Sequence, residues 1–480
     1  MDPKIAQLVA DLPQDLHAPS SHADSLREML ATLSNKPAPV GRLPRMWSLG
    51  TLQARVAAAY LAAWVRGAFA GTEHKQRLKS EAHLKAALQL LGTMGYMRGA
   101  LMKAGQTLAS YPDVAPAEFV ETLGALHFEA PPMHYSLLRE HVRNSLGADP
   151  EDLFARFDPQ AFAAASLGQV HRARLKSGEE VVVKIQYPNM ARAIREDFAN
   201  GRALFQPLRF LKDWANFMEN GEEIERVFLL ETDYRNELRN AEKVRAALNG
   251  LDDVVVPRMY PEFSTEHVLT MEYLKGQHPS EFMATAPDQE TCDRHGAQIW
   301  RVFLRLLASG RMFHADPNPG NYLMLPDGRL GLLDFGCVRE CDDQEWELME
   351  LGTRAFHNGG EDLRDTIQRS ALLTPQELAD PQRMELTEAT VQWGWEPMRQ
   401  DRPFDFSDGE YLARGVRVMG DMIRHRYTRT RPIFTWMNRA SYGIRAVSYV
   451  LRARVNICRM SDEEWVRAGY PPSPGPGQRV

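Results

Sequence analysis

HADPNPGNYLMLPDGRLGLLDFG, residues His314 to Gly336, is the stretch on which the reading of the chain turns. Two short apolar runs, Tyr322 to Leu325 and Leu330 to Leu333, flank Pro326-Asp327-Gly328. Proline and glycine there predict a tight hairpin joining two buried strands. Such a hairpin returns Asp334 to the end at which Asn321 leaves. Asp316 lies five positions before Asn321. An Asp, an Asn five residues on, and an Asp opening Asp-Phe-Gly are what phosphoryl transfer needs: one group to orient an attacking hydroxyl and two to hold magnesium against phosphates. A hairpin with incidental carboxylates is the bland alternative, so the flanking sequence has to decide.

The whole chain sets the bounds. Its 480 residues, a quarter charged and 44% hydrophobic, are ordinary for a large bilobal fold or more than one domain. A net charge of -6 argues against a nucleic-acid binder, which would need a basic excess or face. Cys292, Cys337, Cys341 and Cys458 offer no second ligand pair for zinc and no disulfide framework, which suits a reducing compartment. The first residues lack a basic segment followed by an apolar core, so a cytoplasmic location is expected. Val56 to Val65, between Arg55 and Arg66, is too short to span a bilayer and reads as a packing helix or an interfacial anchor.

Upstream of the hairpin the texture changes twice. Residues 1–46 form an N-terminal segment and linker. Residues 47–130 carry helical periodicity (Leu84, Leu88, Leu91, Met97, Leu101), with Lys103 and Gln106 three apart on one helical face. From 131 to 276 strands appear: Ala163 to Val170, then His171 to Leu175, a Ser177-Gly178 turn, and Glu180 to Gln186. Laid on the phosphate loop G-x-G-x-x-G-x-V, Ala163-Ala164-Ala165-Ser166-Leu167-Gly168-Gln169-Val170 keeps Gly168 and Val170 and replaces the first two glycines by alanine. Alanine adds Cβ atoms and narrows φ, which predicts an altered pose or selectivity for nucleotide. Lys184 ends a Val-rich run where a strand lysine would meet the phosphates, and Glu231 and Glu237 are both candidates for its helical carboxylate partner. Met271 to Gly276 reads as the linker between lobes, its backbone from Glu272 to Leu274 offered to adenine.

Residues 277–357 contain a helix from about Gln289 to Ser309 and the hairpin itself, and form the second lobe. After Gly336 no long activation segment and no Ala-Pro-Glu triplet follow. A helix starts near Asp343, which counts against a peptide-docking protein kinase. Thr374-Pro375-Gln376-Glu377 is a capping box, and residues 358–480 read as a helical extension with a frayed tail and no assignable chemistry.

On these residues the chain resembles the UbiB/AarF family of atypical kinase-like proteins, relatives of proteins that support coenzyme Q biosynthesis. The resemblance rests on KxGQ (Lys103, Gly105, Gln106), the alanine loop (Ala163 to Ser166), Lys184, ExD (Glu231, Asp233) with Glu237 behind it, the HxDPxPGN loop and DFG. Asn318 departs from the histidine usual between the two prolines. The resemblance implies an α+β, bilobal kinase-like fold with helical extensions at both ends. It implies KxGQ helices folded over the groove as a gate, ATP and Mg2+ as cofactors, and a lipid or quinone-precursor ligand with peripheral membrane contact.

The expected function is therefore Mg-dependent ATPase or small-molecule or lipid-directed phosphotransferase activity. Asp316 and Lys184 would be the catalytic residues, and Asn321 and Asp334 the metal ligands. Ala163, Ala164, Ala165, Ser166, Gly168, Val170, Lys184, Glu272 and Leu274 would line the nucleotide. A nucleotide-binding pseudokinase scaffold and a soluble hydroxyl kinase of the aminoglycoside or choline type are the alternatives.

Overall fold

Valine at every position from 181 to 183 builds a strand with both faces buried, and the chain around it forms an antiparallel sheet. A computed structural model describes residues 133–471, except 166, 206–221, 223, 224, 227, 359, 426 and 428. The KxGQ residues Lys103, Gly105 and Gln106, the Val56 to Val65 segment, Ser166 and the C-terminal tail therefore lie outside the described residues.

Helix α1 (Tyr135–Leu146) precedes strands β1 (Arg156–Phe157), β2 (Ala163–Ala165), β3 (Gly168–Arg174) and β4 (Glu180–Gln186). Helices α2 (Met190–Phe205) and α3 (Tyr234–Ala247) follow, then β5 (Val254–Val255) and β6 (Val268–Glu272). The first sheet runs β1-β3-β4-β6, with β2 also on β3. Period-2 alternation divides β4. Val181, Val183 and Ile185 pack with Leu138 and Val142 of α1, while Val182 joins the central core with Leu269 and Met271. Lys184 shares the face of Val182 and so points into the second lobe.

That lobe is built on α4 (Gln289–Gly310), whose capped start at Asp288 and αL end at Arg311 match the expected helix to within a residue. Strands β7 (Met312–His314), β8 (Tyr322–Met324), β9 (Leu330–Leu332) and β10 (Val338–Glu340) follow. The predicted hairpin is present: Tyr322 pairs Leu332, and Gly328 turns the chain at φ +84. Val254 and Val255 lie parallel to β9 in this second sheet rather than in the first. Helices α5 (Asp343–Asn358), α6 (Gly360–Ser370), α7 (Pro381–Trp395), α8 (Gly409–Arg424), α9 (Pro432–Val450) and α10 (Ile457–Arg467) complete the described chain. The capping box at Thr374 and Glu377 forms as read. The extension belongs to the same core: Ile444, Val447, Leu451 and Ile457 bury against Trp300 and Leu304 of α4.

Candidate functional site

Three elements converge on one ammonium. The Lys184 Nζ donates to Glu237 Oε1 at 2.9 Å and Oε2 at 3.0 Å, and lies 3.3 Å from Asp334 Oδ2. The sequence had left Glu231 and Glu237 open; Glu237 is the partner. Asp233 explains why. Its side chain caps α3 by accepting from the Arg235 N–H, so helical phase begins at Tyr234. Tyr234, Glu237, Ala241 and Val244 then fall on one buried stripe. Glu231 precedes that start; it is 8% exposed, and its Cγ lies 3.8 Å from where a Gly336 Cβ would stand, beside the Asp334 and Glu237 oxygens.

Burial would lower the Lys184 pKa, but the charges of Asp334 and Glu237 outweigh it and hold the ammonium well above its usual range. Burial pushes the Glu237 carboxyl up to about 7 against the pull of Lys184, and Asp334 adds to the rise. Two carboxylates thus share one buried cation, so a second cation in the cleft would relieve their repulsion.

The residues of the His314 to Asn321 loop are wired by backbone. His314 Nε2 meets the Asp334 carbonyl at 2.6 Å, and its Nδ1 accepts from the Asp316 N–H at 3.3 Å, a network that assigns the ring proton to Nε2. Asn321 Nδ2 donates to the Asp316 carbonyl at 2.8 Å, leaving its amide oxygen out of that bond. Leu333 N–H donates to the Asn321 carbonyl at 3.0 Å, so the hairpin does bring Asn321 and Asp334 to one end. Asn318 accepts from the Gly320 N–H at 2.9 Å and satisfies the turn locally. Asn240, one turn after Glu237, donates to the Phe335 carbonyl at 2.8 Å, so α3 holds both the strand lysine and the DFG backbone.

Among the described residues no group of three His, Cys, Asp or Glu is placed to hold a metal. The donor chemistry still fits magnesium: Asp334 and Asn321 supply hard oxygens, and Mg2+ takes one or two protein oxygens plus phosphates and water.

Ala163 and Ala165 pair with Val170 and Gly168, so Ala163 to Ala165 are strand rather than open turn. A Cβ at Gly168 would lie 2.1 Å from the Ile185 carbonyl oxygen. The retained glycine is thus required by the close approach of β3 to β4. In the linker, the Glu272 N–H goes to the Arg258 carbonyl at 2.8 Å and the Tyr273 N–H to the Glu180 carbonyl at 3.0 Å. The Leu274 N–H is the one of the three with no acceptor among the described residues, which narrows the expected adenine contact.

One residue the sequence did not reveal stands at the loop. Arg439, on α9, donates to Asp316 Oδ1 at 2.7 Å, with side chains 12% and 15% exposed. The same helix touches the loop at Gly443, where a Cβ would lie 2.3 Å from Pro317 Cγ. The region read as having no chemistry therefore reaches the candidate base. The partners are 123 positions apart in the chain, and that separation left no local signal.

The model of the ABC1 atypical kinase-like domain matches residues 125–364. The chain is 32% identical over 255 residues to AarF domain-containing protein kinase 1 of Xenopus laevis, covering 53% of this chain and 49% of that protein. It is 35% identical over 279 residues to the Arabidopsis thaliana chloroplastic protein Activity of BC1 Complex Kinase 8, covering 56% and 36%. The chain thus spans half or less of the length of these relatives. A similar solved structure is the Rv3197–erythromycin complex from Mycobacterium tuberculosis, with a TM-score of 0.55 and 25% identity, covering 81% of this chain and 98% of that one. The matched segment is half of the chain and carries this kinase-like α+β fold, and the chain belongs to the ABC1 family of atypical kinase-like proteins, the UbiB/AarF family.

Proposed function

We propose that the chain binds ATP with magnesium between the two sheets and uses it for hydrolysis or for transfer to a small-molecule or lipid hydroxyl. The single observation that carries this is the buried Lys184 ammonium held between Glu237 and Asp334. That arrangement joins a phosphate-pairing lysine to a metal-binding carboxylate, and phosphoryl transfer depends on this kind of positioning and charge stabilisation. Asp334 and Asn321 would take the magnesium ion, which when bound neutralises charge on the phosphoryl oxygens. Lys184 would donate to the phosphates, Leu274 N–H to the base, and Asp316, fixed through Arg439 and Asn321, would accept the proton of the attacking hydroxyl or water.

A lipid or quinone-precursor acceptor is the class implied by the family resemblance, and the return of β10 onto β7 supports a non-peptide acceptor by leaving no long segment after DFG. The test is phosphate release with and without anionic liposomes, against Lys184→Ala and Asp334→Asn. Turnover that is equal in wild type and both variants would refute the assignment. The contact of Arg439 with Asp316 favours a second reading, a nucleotide-binding scaffold. That reading predicts a magnesium-dependent thermal shift with ATP and no turnover above the controls.

A further inference from the structure

The alanine loop is fastened at its tip. Leu167, between β2 and β3, is 2% exposed and packs with Ile194 of α2 (0% exposed) and Phe228 (2%), with Met190, Phe198 and Leu229 around them. Its carbonyl accepts from the Tyr187 N–H at 2.9 Å, just after β4. The next residue cannot shift independently, because Gly168 lies flat on the Ile185 carbonyl. Phe228 is three residues before Glu231, and the Thr232 carbonyl accepts from Gln186 Nε2 at 3.0 Å at the end of β4. One apolar cluster thus connects the loop to α2 and to the segment that carries Glu231 and leads into α3. A buried leucine in such a cluster holds its own backbone in place, because a close-packed interior has low compressibility and transmits displacement.

We propose that Leu167 is a positioning residue: seated between Ile194 and Phe228, it sets the height of the alanine loop over the nucleotide phosphates and makes that height depend on α2 and the segment around Phe228. This rests on the nucleotide reading above. In a glycine-rich loop, backbone freedom lets the amides close on the phosphates. Here the strand pairing of Ala163 and Ala165 and the Leu167 anchor replace that freedom with a fixed distance, so α2 is the element whose movement would tighten or release the loop.

Two measurements on the full chain decide it. In Leu167→Ala and Phe228→Ala, hydrogen exchange of amides 162–168 should rise about tenfold or more, while amides 268–272 stay as in wild type. Unchanged exchange at 162–168 in a folded variant overturns the proposal. If alanine prevents folding, Leu167→Val serves with the same criterion. ATP and adenosine are then compared by calorimetry, because the loop would touch phosphates and not the base. Weaker ATP binding with unaltered adenosine binding, restored by Leu167→Ile, is the expected result. Equal loss of both ligands would show general damage and overturn it. Wild type that binds neither ligand would sink the nucleotide reading, with the exchange measurement still deciding whether Leu167 holds the loop.

Discussion

Replacing Gly443 by alanine should harm this protein although the exchange is normally favourable. Alanine in a helix interior is better than glycine by roughly 0.5–1 kcal/mol, because glycine loses more backbone entropy on folding. Gly443 lies inside α9, but its new Cβ would meet Pro317 Cγ at 2.3 Å, where ordinary contact begins at 3.4 Å. Helix and loop must therefore separate by about 1.1 Å. Overpacking of that kind costs about 1–3 kcal/mol, enough to cancel or reverse the helical gain. The larger effect falls on Asp316, the neighbour of Pro317, since a misplacement of about 1 Å in a reacting group can cost about 10²-fold in rate. Gly420 in α8 is the internal control, because nothing lies within 4 Å of its would-be Cβ. Gly420→Ala should raise the melting temperature and leave phosphate release unchanged. Gly443→Ala should lower phosphate release by about 10²-fold without the stability gain. A Gly443→Ala protein as stable as the Gly420→Ala one, with full turnover, would refute the inference that α9 fixes the proposed catalytic loop.

Further outcomes follow from the ion pairs. Arg439→Met should lower turnover by about 10²–10³-fold, as for the loss of one positioned donor, with ATP affinity changed less than about threefold; combined with Asp316→Asn it should cost little more. Full additivity of the two would separate their roles. Arg305 and Glu464, 2% and 1% exposed at the side chain, form a buried pair between α4 and α10. Glu464→Ala should cost about 3–5 kcal/mol in denaturant unfolding, while Arg305→Met with Glu464→Leu should recover most of it. Burial would raise the Glu377 carboxyl, but the Thr374 amide, Arg383 and Arg429 pull it down to about 2. A depressed carboxyl pKa stabilises the fold above its ordinary value of 4.5, and that contribution fades as pH falls towards 2. Glu377→Gln should therefore be less stable than wild type by about 2–3 kcal/mol at pH 7, the gap narrowing below about pH 4.5; a constant gap down to pH 3 would contradict this.

The parts of the site legible in the sequence were those set by short-range chemistry. The Pro-Asp-Gly turn and its apolar arms predicted the hairpin that joins Asn321 to Asp334, and alternation in Val181-Val182-Val183-Lys184 carried the lysine to the cleft. The choice of Glu237 was present but unread: the spacing of Tyr234, Glu237, Ala241 and Val244 marks a buried stripe, and Asp233 before it is a helix cap. Arg439 was not legible, because a charged residue on a helix reads as solvated until the fold supplies a carboxylate from 123 residues away. Gly168 has a second reason that the motif does not show. It fits a phosphate-loop pattern, and the spacing of β3 and β4 also requires it.

The return of β10 onto β7 has a consequence for control. Val338 pairs with His314 and Glu340 with Met312, and the Ala315 N–H donates to the Cys337 carbonyl at 2.8 Å. Ordering a loose segment costs about 1–2 kcal/mol per residue in backbone entropy, and a long loop after DFG holds a reservoir of that size for a phosphate or partner to draw on. Here the reservoir is already spent in folding. β7 and β10 are sewn together whether or not a signal arrives, so a switch acting on this protein has to work on an element other than the segment that follows DFG.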